Sequence, residues 1–273
     1  MEPARQTAAG TRAIVVAGYP KSGSTWIARC AADLVGCPVA GFWGQPEHRE
    51  MAVEGAERDS PYRCFKAHQP HAELGADAGG ADAPALIYVV RDPRDVAVSG
   101  AHYFLFRRHI RRRPWLRLAA FWLRRQGRTR EEISRRLLRP SRRLAFMVKT
   151  VLEGDASVEG WCRLPWAEHV RGYLRAGAPL VRYEDMLADP ERECARILEH
   201  LGIARDAAAI RAVVDRHAFA REKERFVRQG ETAKAAFLRQ GCAGEWRSRL
   251  TAGQQALFRE RLADLLRQLR YDV

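Results

Sequence analysis

Apolar residues recur along this chain in two rhythms. Residues 12–17 (RAIVVA) form a short β-rich run that stops at Gly18, and residues 85–90 (ALIYVV) form another with no polar interruption. Continuous apolar runs of that length predict strands buried on both faces. Residues 62–67 (YRCFKA) and 179–183 predict two more. Elsewhere the period lengthens. Trp26, Ile27, Cys30 and Leu34 share one helical face, predicting a helix over 24–35, and helices are expected over 161–176, 189–201 and 254–269. Asp92, Pro93 and Asp95 supply an N-cap, a first helical position and a first-turn acid, so a helix should run from Pro93 to about Phe106. Residues 36–60, rich in Gly, Pro and charge, predict loop and at most a short helix. Strands alternating with helices imply an α/β fold, a central parallel sheet flanked by helices on both faces. No repeat or low-complexity linker divides the 273 residues, so one domain spanning 1–273 is expected.

Composition changes this picture in one place. Net charge is +14, and fifteen arginines against Glu131 and Glu132 put +13 of it between Arg107 and Arg143. The segment 107–150 therefore reads as an arginine-rich helical insertion. Its arginine clusters flank Trp115, Leu116, Leu118, Phe121, Trp122 and Leu123. Three readings stay open: a lid helix packed over a substrate pocket, a helix lying in a membrane interface, or a site for another polyanion such as an anionic substrate or nucleic acid. The first twelve residues lack the apolar stretch of a signal peptide, and no apolar run reaches the roughly 20 residues that span a bilayer. The six cysteines are scattered without a C-x-x-C pair. Reduced thiols, a cytoplasmic location and no zinc site are expected.

The chemistry begins at GYPKSGSTW, residues 18–26. Gly18 and Gly23 have the glycine spacing of the Walker loop G-x-x-x-x-G-K-S/T, but Ser24 stands where the lysine belongs, and Lys21 sits earlier. A strand, a glycine turn and a helix N-terminus still make an anion cradle, because first-turn amides and the macrodipole face the ligand. Ser24 and Thr25 add hydroxyls and Lys21 a full charge. A Walker nucleotidase needs an acid at a strand end to hold magnesium. Here the strand over 85–90 ends in Arg91, and Asp92 is spent as a cap. Phosphates met by side-chain cations rather than by a metal are expected.

With YPKSGSTW after the first strand and RDPRDVAVS after a later one, the chain resembles the cytosolic-type sulfotransferases and has the look of a bacterial member. The resemblance runs from Gly18 to the C-terminus, with the basic segment as the main unmatched region. It implies a P-loop-like fold and transfer of a sulfuryl group from 3′-phosphoadenosine 5′-phosphosulfate (PAPS), leaving adenosine 3′,5′-bisphosphate (PAP), without a metal. Lys21 resembles the lysine that meets the bridging oxygen of the donor. Ser22, Gly23, Ser24 and Thr25 resemble the 5′-phosphate loop, and Trp26 the aromatic that stacks on adenine. Arg91 and Ser99 resemble the 3′-phosphate pair. FKAHQP resembles the K-T-H-x-P segment, which makes His68 the general base and Lys66 a second cation. Tyr183, in Tyr183-Glu184-Asp185, resembles the tyrosine near adenine, and Phe219 the aromatic across the base from Trp26. FLRQGCAGEW resembles the R-K-G-x-x-G-x-W segment, giving Arg239, Gln240 and Gly241 to the 3′-phosphate.

Three positions depart from that pattern. Gln240 replaces a lysine, Ala67 a threonine, and Ala218 a residue that often carries a hydroxyl. Losing one exposed charge contact is worth on the order of 1 kcal/mol, so donor affinity is touched more than donor identity. His48, His71, His102 and His169 read as ordinary histidines. The resemblance implies a small-molecule or lipid-linked acceptor, with peripheral contact at the inner membrane face through 107–143 if that segment meets lipid, and nucleic acid disfavoured. Two alternatives stand beside it: a nucleotide-dependent small-molecule kinase on a related fold, and a basic membrane- or nucleic-acid-binding module.

Overall fold

A computed structural model of the chain describes residues 11–45, 51–75, 83–128, 130–218, 221 and 241–273. Its strands are β1 (Arg12–Gly18), β2 (Val39–Phe42), β3 (Val53–Glu54), β4 (Tyr62–Ala67), β5 (Ala85–Val90) and β6 (Leu180–Arg182). Its helices are α1 (Ser24–Val35), α2 (Pro93–Tyr103), α3 (Arg107–Arg111), α4 (Pro114–Arg125), α5 (Arg130–Leu137) and α6 (Pro140–Glu153). They continue with α7 (Trp166–Arg175), α8 (Tyr183–Ala188), α9 (Pro190–Leu201), α10 (Ala207–Arg216), α11 (Trp246–Arg249) and α12 (Ala252–Gln268). Two compact units emerge, Met1–Arg91 with Val170–Cys242, and Asp92–His169 with Ala243–Val273.

The first unit holds the whole sheet, in the order β3-β2-β4-β1-β5-β6. Every pairing is parallel except β2 with β3. Ile14, Val15, Val16 and Ala17 of β1 have no exposed surface, which is why that run carries no polar alternation. Helix α1 turns Ile27, Ala28, Ala31 and Leu34 inward and packs on β1, β4, α9 and α10. From β1 the chain passes to β2 and β4 on one side, and after β5 it returns at β6 on the other. The neighbours β1 and β5 thus flank a topological switch point, where open α/β sheets bind ligands at the strands' carboxyl ends.

In the second unit α2 packs on α6, and the approach is close. A Cβ on Gly100 would lie 2.5 Å from Met147 Cε, so any larger residue would require the end of the Met147 side chain to shift. Asp92 caps α2 by accepting the Arg94 N–H at 2.9 Å and also takes the Arg94 guanidinium at 2.7 Å. Asp95 accepts the N–H groups of Gly244 (2.6 Å) and Trp246 (3.0 Å), while Arg94 lies 3.7 Å over the Trp246 ring. The N-terminus of α2 and the chain just before α11 are thereby fastened together. Thr251 and Gln254 form a reciprocal capping box at the start of α12.

The expected elements over 24–35, 62–67 and 85–90 are observed with those bounds, and β1 runs one residue further. Others differ for physical reasons. Among the described residues of 36–60, β2 and β3 stand where loop was expected, because β4 offers an edge and Val39 and Phe42 bury against it. The helix over 161–176 splits into a 3₁₀ turn, Gly160–Cys162, and α7. Pro165 disfavours helical backbone at Leu164, so the helix restarts at Trp166. Tyr183 opens α8 rather than ending β6. The basic segment is four short helices, α3 to α6, broken before Pro114 and Pro140.

Five cysteines are buried and unbridged, and Cys242 is partly exposed. Burial pushes the Cys37 thiol up to about 11 and that of Cys194 to about 12. In native protein at neutral pH, Cys242 should therefore react with an aromatic disulfide reagent long before the rest, and all six thiols should react after denaturation. Fast reaction of several native thiols would contradict this packing.

Candidate active site

Four adjacent parallel strands each end in a residue with site chemistry. His68 follows β4, the loop 19–23 follows β1, Arg91 follows β5 and Tyr183 follows β6. All four belong to the first unit.

The loop is shaped by its backbone. Ser22 N–H donates to the Tyr19 carbonyl at 3.0 Å, closing a turn. Lys21 (φ 75°) and Gly23 (φ 94°) both adopt left-handed backbone. For Lys21 that conformation costs about 1–2 kcal/mol, so the surroundings must hold it. Gly23 is the N-cap of α1 and provides no side-chain cap, leaving the first turn to face a ligand. A Cβ at Gly23 would lie 2.6 Å from the Tyr183 ring. Ser22 is completely buried, and its Oγ has no hydrogen-bond partner. An orphaned buried hydroxyl costs about 1–3 kcal/mol, a debt that a bound oxyanion would cancel.

Arg91 braces this loop. Its Nη1 donates to the Lys21 carbonyl (3.3 Å) and its Nη2 to the Cys242 carbonyl (3.1 Å). The guanidinium lies 4.2 Å from the Tyr183 ring centroid, a cation–π contact. Its buried Nε has no partner. The contact at Cys242 brings in Gly241, also left-handed (φ 58°). Trp26 meets Tyr183 edge-on at 5.9 Å, and its indole N–H donates to the His217 carbonyl at 3.0 Å.

His68 is buried, and its Nδ1 lies 2.5 Å from the Gly18 carbonyl. A carbonyl only accepts, so Nδ1 carries the proton and Nε2 carries the lone pair. That is the tautomer of a base at Nε2. The His68 backbone N–H donates to Gln69 Oε1 (3.0 Å) and Gln69 Nε2 to the Trp43 carbonyl (2.6 Å). Tyr173 Oη donates to the Gln69 carbonyl at 2.6 Å. Lys66, also buried, places its ammonium 5.7 Å from the Phe42 ring centroid, and that ring meets His68 edge-on at 5.5 Å. Lys66 is thus no solvated strand-end lysine.

Lys21, Ser22, Gly23, Ser24, Thr25, Trp26, Lys66, His68, Arg91, Tyr183 and Gly241 all fall within the first unit. Ser99 lies half-buried on α2 in the second. Phe219, Arg239 and Gln240 lie outside the described residues. His102 is exposed, His71 packs edge-on to Tyr173, and His169 is buried. Among the described residues, no three His, Cys, Asp or Glu side chains stand close enough to hold a metal ion.

Sequence reasoning missed the group behind Trp26. Asp33 Oδ2 accepts from His217 Nε2 (2.9 Å) and from Arg216 Nη1 (2.8 Å), and Oδ1 pairs with Arg58 at 2.6 Å. Burial raises the Asp33 pKa, but His217, Arg58 and Arg216 outweigh it and hold the carboxyl well below its usual range. The group fixes the carbonyl that Trp26 binds. A depressed folded pKa adds stability above the unfolded value of about 3.9, and that stability is lost as pH falls toward the folded value. Asp33→Asn should lower stability by about 2 kcal/mol at pH 7. The gap from wild type should narrow in urea titrations below pH about 4. A gap that does not change with pH would contradict the assignment.

The sulfotransferase domain family model matches residues 11–270. The chain is 24% identical to sulfotransferase 2A1 of Homo sapiens over 282 residues, spanning 94% of this chain and 86% of that protein. It is 25% identical to sulfotransferase 1A1 of Bos taurus over 270 residues, spanning 90% and 80%. The solved structure of mouse sulfotransferase SULT7A1 complexed with PAP shares the fold with a TM-score of 0.62 at 18% identity, over 94% of this chain and 85% of that one. Retinol dehydratase in complex with androsterone and inactive cofactor PAP shares it with a TM-score of 0.59 at 18% identity, over 96% and 82%.

Proposed function

Because the chain belongs to the sulfotransferase domain family, we propose that it is a PAPS-dependent sulfotransferase whose loop after β1 holds the donor and whose His68 deprotonates the acceptor. The acceptor is a small molecule that offers a hydroxyl or an amine. One observation carries this reading: His68 is hydrogen-bonded to Gly18, the residue from which the phosphate-type loop departs. Base and cradle therefore meet where the neighbouring strands β4 and β1 end.

The residues fit a doubly phosphorylated adenosine. Ser22 has a buried hydroxyl in need of a partner, Arg91 a buried Nε in the same state, and Gly23 leaves backbone rather than side chain at the helix start. In this reading Ser22, Gly23, Ser24 and Thr25 hold the 5′-phosphate. Arg91, Ser99, Arg239, Gln240 and Gly241 serve the 3′-phosphate. Trp26 and Phe219 stack on the adenine, with Tyr183 beside it. PAPS supplies a sulfuryl group on a phosphate leaving group. Lys21 neutralises the charge that collects on that phosphate, aided by the α1 amides. His68 Nε2 takes the acceptor's proton, and the Gly18 carbonyl stabilises the imidazolium through Nδ1–H. Lys66, buried two residues earlier, adds positive charge for the transferring oxygens. No step needs a metal.

The family span supports treating 1–273 as one sulfotransferase domain with 107–150 as its arginine-rich insertion. Exposed apolar side chains in that insertion support a lipid-linked acceptor and peripheral contact with the inner face of a membrane from a cytoplasmic location. Among the described residues no helix is long and apolar enough to cross a membrane.

PAP with chelator present should raise the melting temperature, since ligand at one hundred times Kd adds about 2.7 kcal/mol. With PAPS labelled in its sulfuryl group and a simple phenol as acceptor, His68→Ala should lower kcat by about 10²–10⁴-fold while PAP binding persists. Lys21→Ala should lower turnover by about 10²–10³-fold. Ordinary turnover in either variant removes that residue's role, and no stabilisation by PAP removes the donor site.

A further inference from the structure

Helix α4 presents an apolar face to solvent. Trp115, Leu118, Phe121 and Trp122 are 60%, 68%, 56% and 67% exposed. Their spacing of three, three and one places them on one side of the helix. Leu116, off that side, is buried. Beside Trp115 opens a groove of about 400 Å³ lined by Arg113, Trp115, Leu137, Arg139 and Arg142. Among the described residues none of those three guanidiniums is paired with a carboxylate. Arg143, next in sequence, is buried with an unpartnered Nε. Burial and then Arg135 lower its pKa, so positive charge is crowded here. An anion would relieve that crowding.

We propose that α4 lies in the surface of an anionic phospholipid bilayer. Trp115, Leu118, Phe121 and Trp122 enter the boundary of the acyl chains, and Arg113, Arg139 and Arg142 hold phosphodiester headgroups. The proposal rests on the membrane contact suggested above for 107–143 and narrows it to one helix face and one groove. Charge and length select this occupant. The twelve residues of α4 reach about 18 Å at about 1.5 Å each, short of the roughly 30 Å hydrocarbon core, so the helix lies on the bilayer rather than through it. A second copy of the chain would bring the same +13 segment against itself. Nucleic acid would satisfy the arginines but give Leu118 no apolar partner. Arg125, 5.8 Å from the Phe121 ring, can rest its stem on that face while its head stays among phosphates.

The test is co-sedimentation of the full chain with vesicles of phosphatidylcholine alone or mixed with phosphatidylglycerol. Wild type should pellet with the mixed vesicles, pellet little with the neutral ones, and release as salt rises. Leu118→Glu should weaken binding about tenfold or more, as should Trp115→Ser with Trp122→Ser. Arg139→Gln with Arg142→Gln should reduce the preference for phosphatidylglycerol. All these side chains are exposed, so melting temperature and PAP affinity should stay at wild-type values. If wild type ignores anionic vesicles, both the membrane contact and its α4 form fail. If wild type binds them and Leu118→Glu binds equally, membrane contact stands and the α4 assignment is overturned. Binding to single-stranded DNA without vesicle binding gives the face to nucleic acid, and lipid-free dimers broken by Leu118→Glu give it to a second copy. Either result overturns the proposal. Loss of PAP binding alone strikes the donor site and leaves this result untouched.

Discussion

The proton on His68 Nδ1 belongs to the hydrogen bond with the Gly18 carbonyl, and much of the site depends on that bond. Gly18 ends β1, the strand between β4 and β5, one residue beyond the last β1–β4 pair, Ala17 with Ala67. The imidazole satisfies a backbone acceptor that would otherwise be buried unpaired. In return the carbonyl fixes the tautomer, which makes Nε2 a base. A parallel sheet gives this arrangement cheaply, because parallel strands end on the same edge. His68, the glycine loop, Arg91 and Tyr183 arrive at that edge from four neighbouring strands.

The loop itself is strained and is held by what surrounds it. Lys21 adopts a left-handed backbone, and Arg91 binds its carbonyl. Tyr183 fills the space that a Cβ on Gly23 would need, and Arg91 stacks on Tyr183. Behind them, Asp33 gathers His217, Arg216 and Arg58 and so anchors the carbonyl that orients Trp26. Two of the buried polar atoms left unsatisfied among the described residues, Ser22 Oγ and Arg91 Nε, lie at this end of the sheet. Strain and orphaned polar groups gathered where neighbouring strands end mark where binding energy is to be recovered.

Strong local patterns were legible in the sequence. The runs 12–17 and 85–90 are apolar enough to read as buried strands, 62–67 reads as a further strand candidate, and Asp92-Pro93 announces a helix start. The loop, His68 and Arg91 were legible because each adjoins such an element. What depends on distant partners was not. Val39 and Phe42 become strand only because β4 offers an edge. Asp33 and His217 lie 184 positions apart, and nothing local distinguishes either. Helix α10 passed unread, although Asp206 caps it and Ile210 and Val213 bury, because its alanine-rich run has little apolar contrast. Prolines 114 and 140 each open a helix and so divide the basic segment, a break that its arginine-rich composition alone does not reveal.

The central claim is that the edge formed by β4, β1, β5 and β6 is a single nucleotide site. A crystal structure with PAP tests it most directly. The account predicts the 5′-phosphate at the start of α1 with Ser22 Oγ now partnered, the adenine against Trp26 and Tyr183, and the 3′-phosphate on Arg91. A nucleotide bound elsewhere, or one that leaves Ser22 and Arg91 without a phosphate between them, would contradict it.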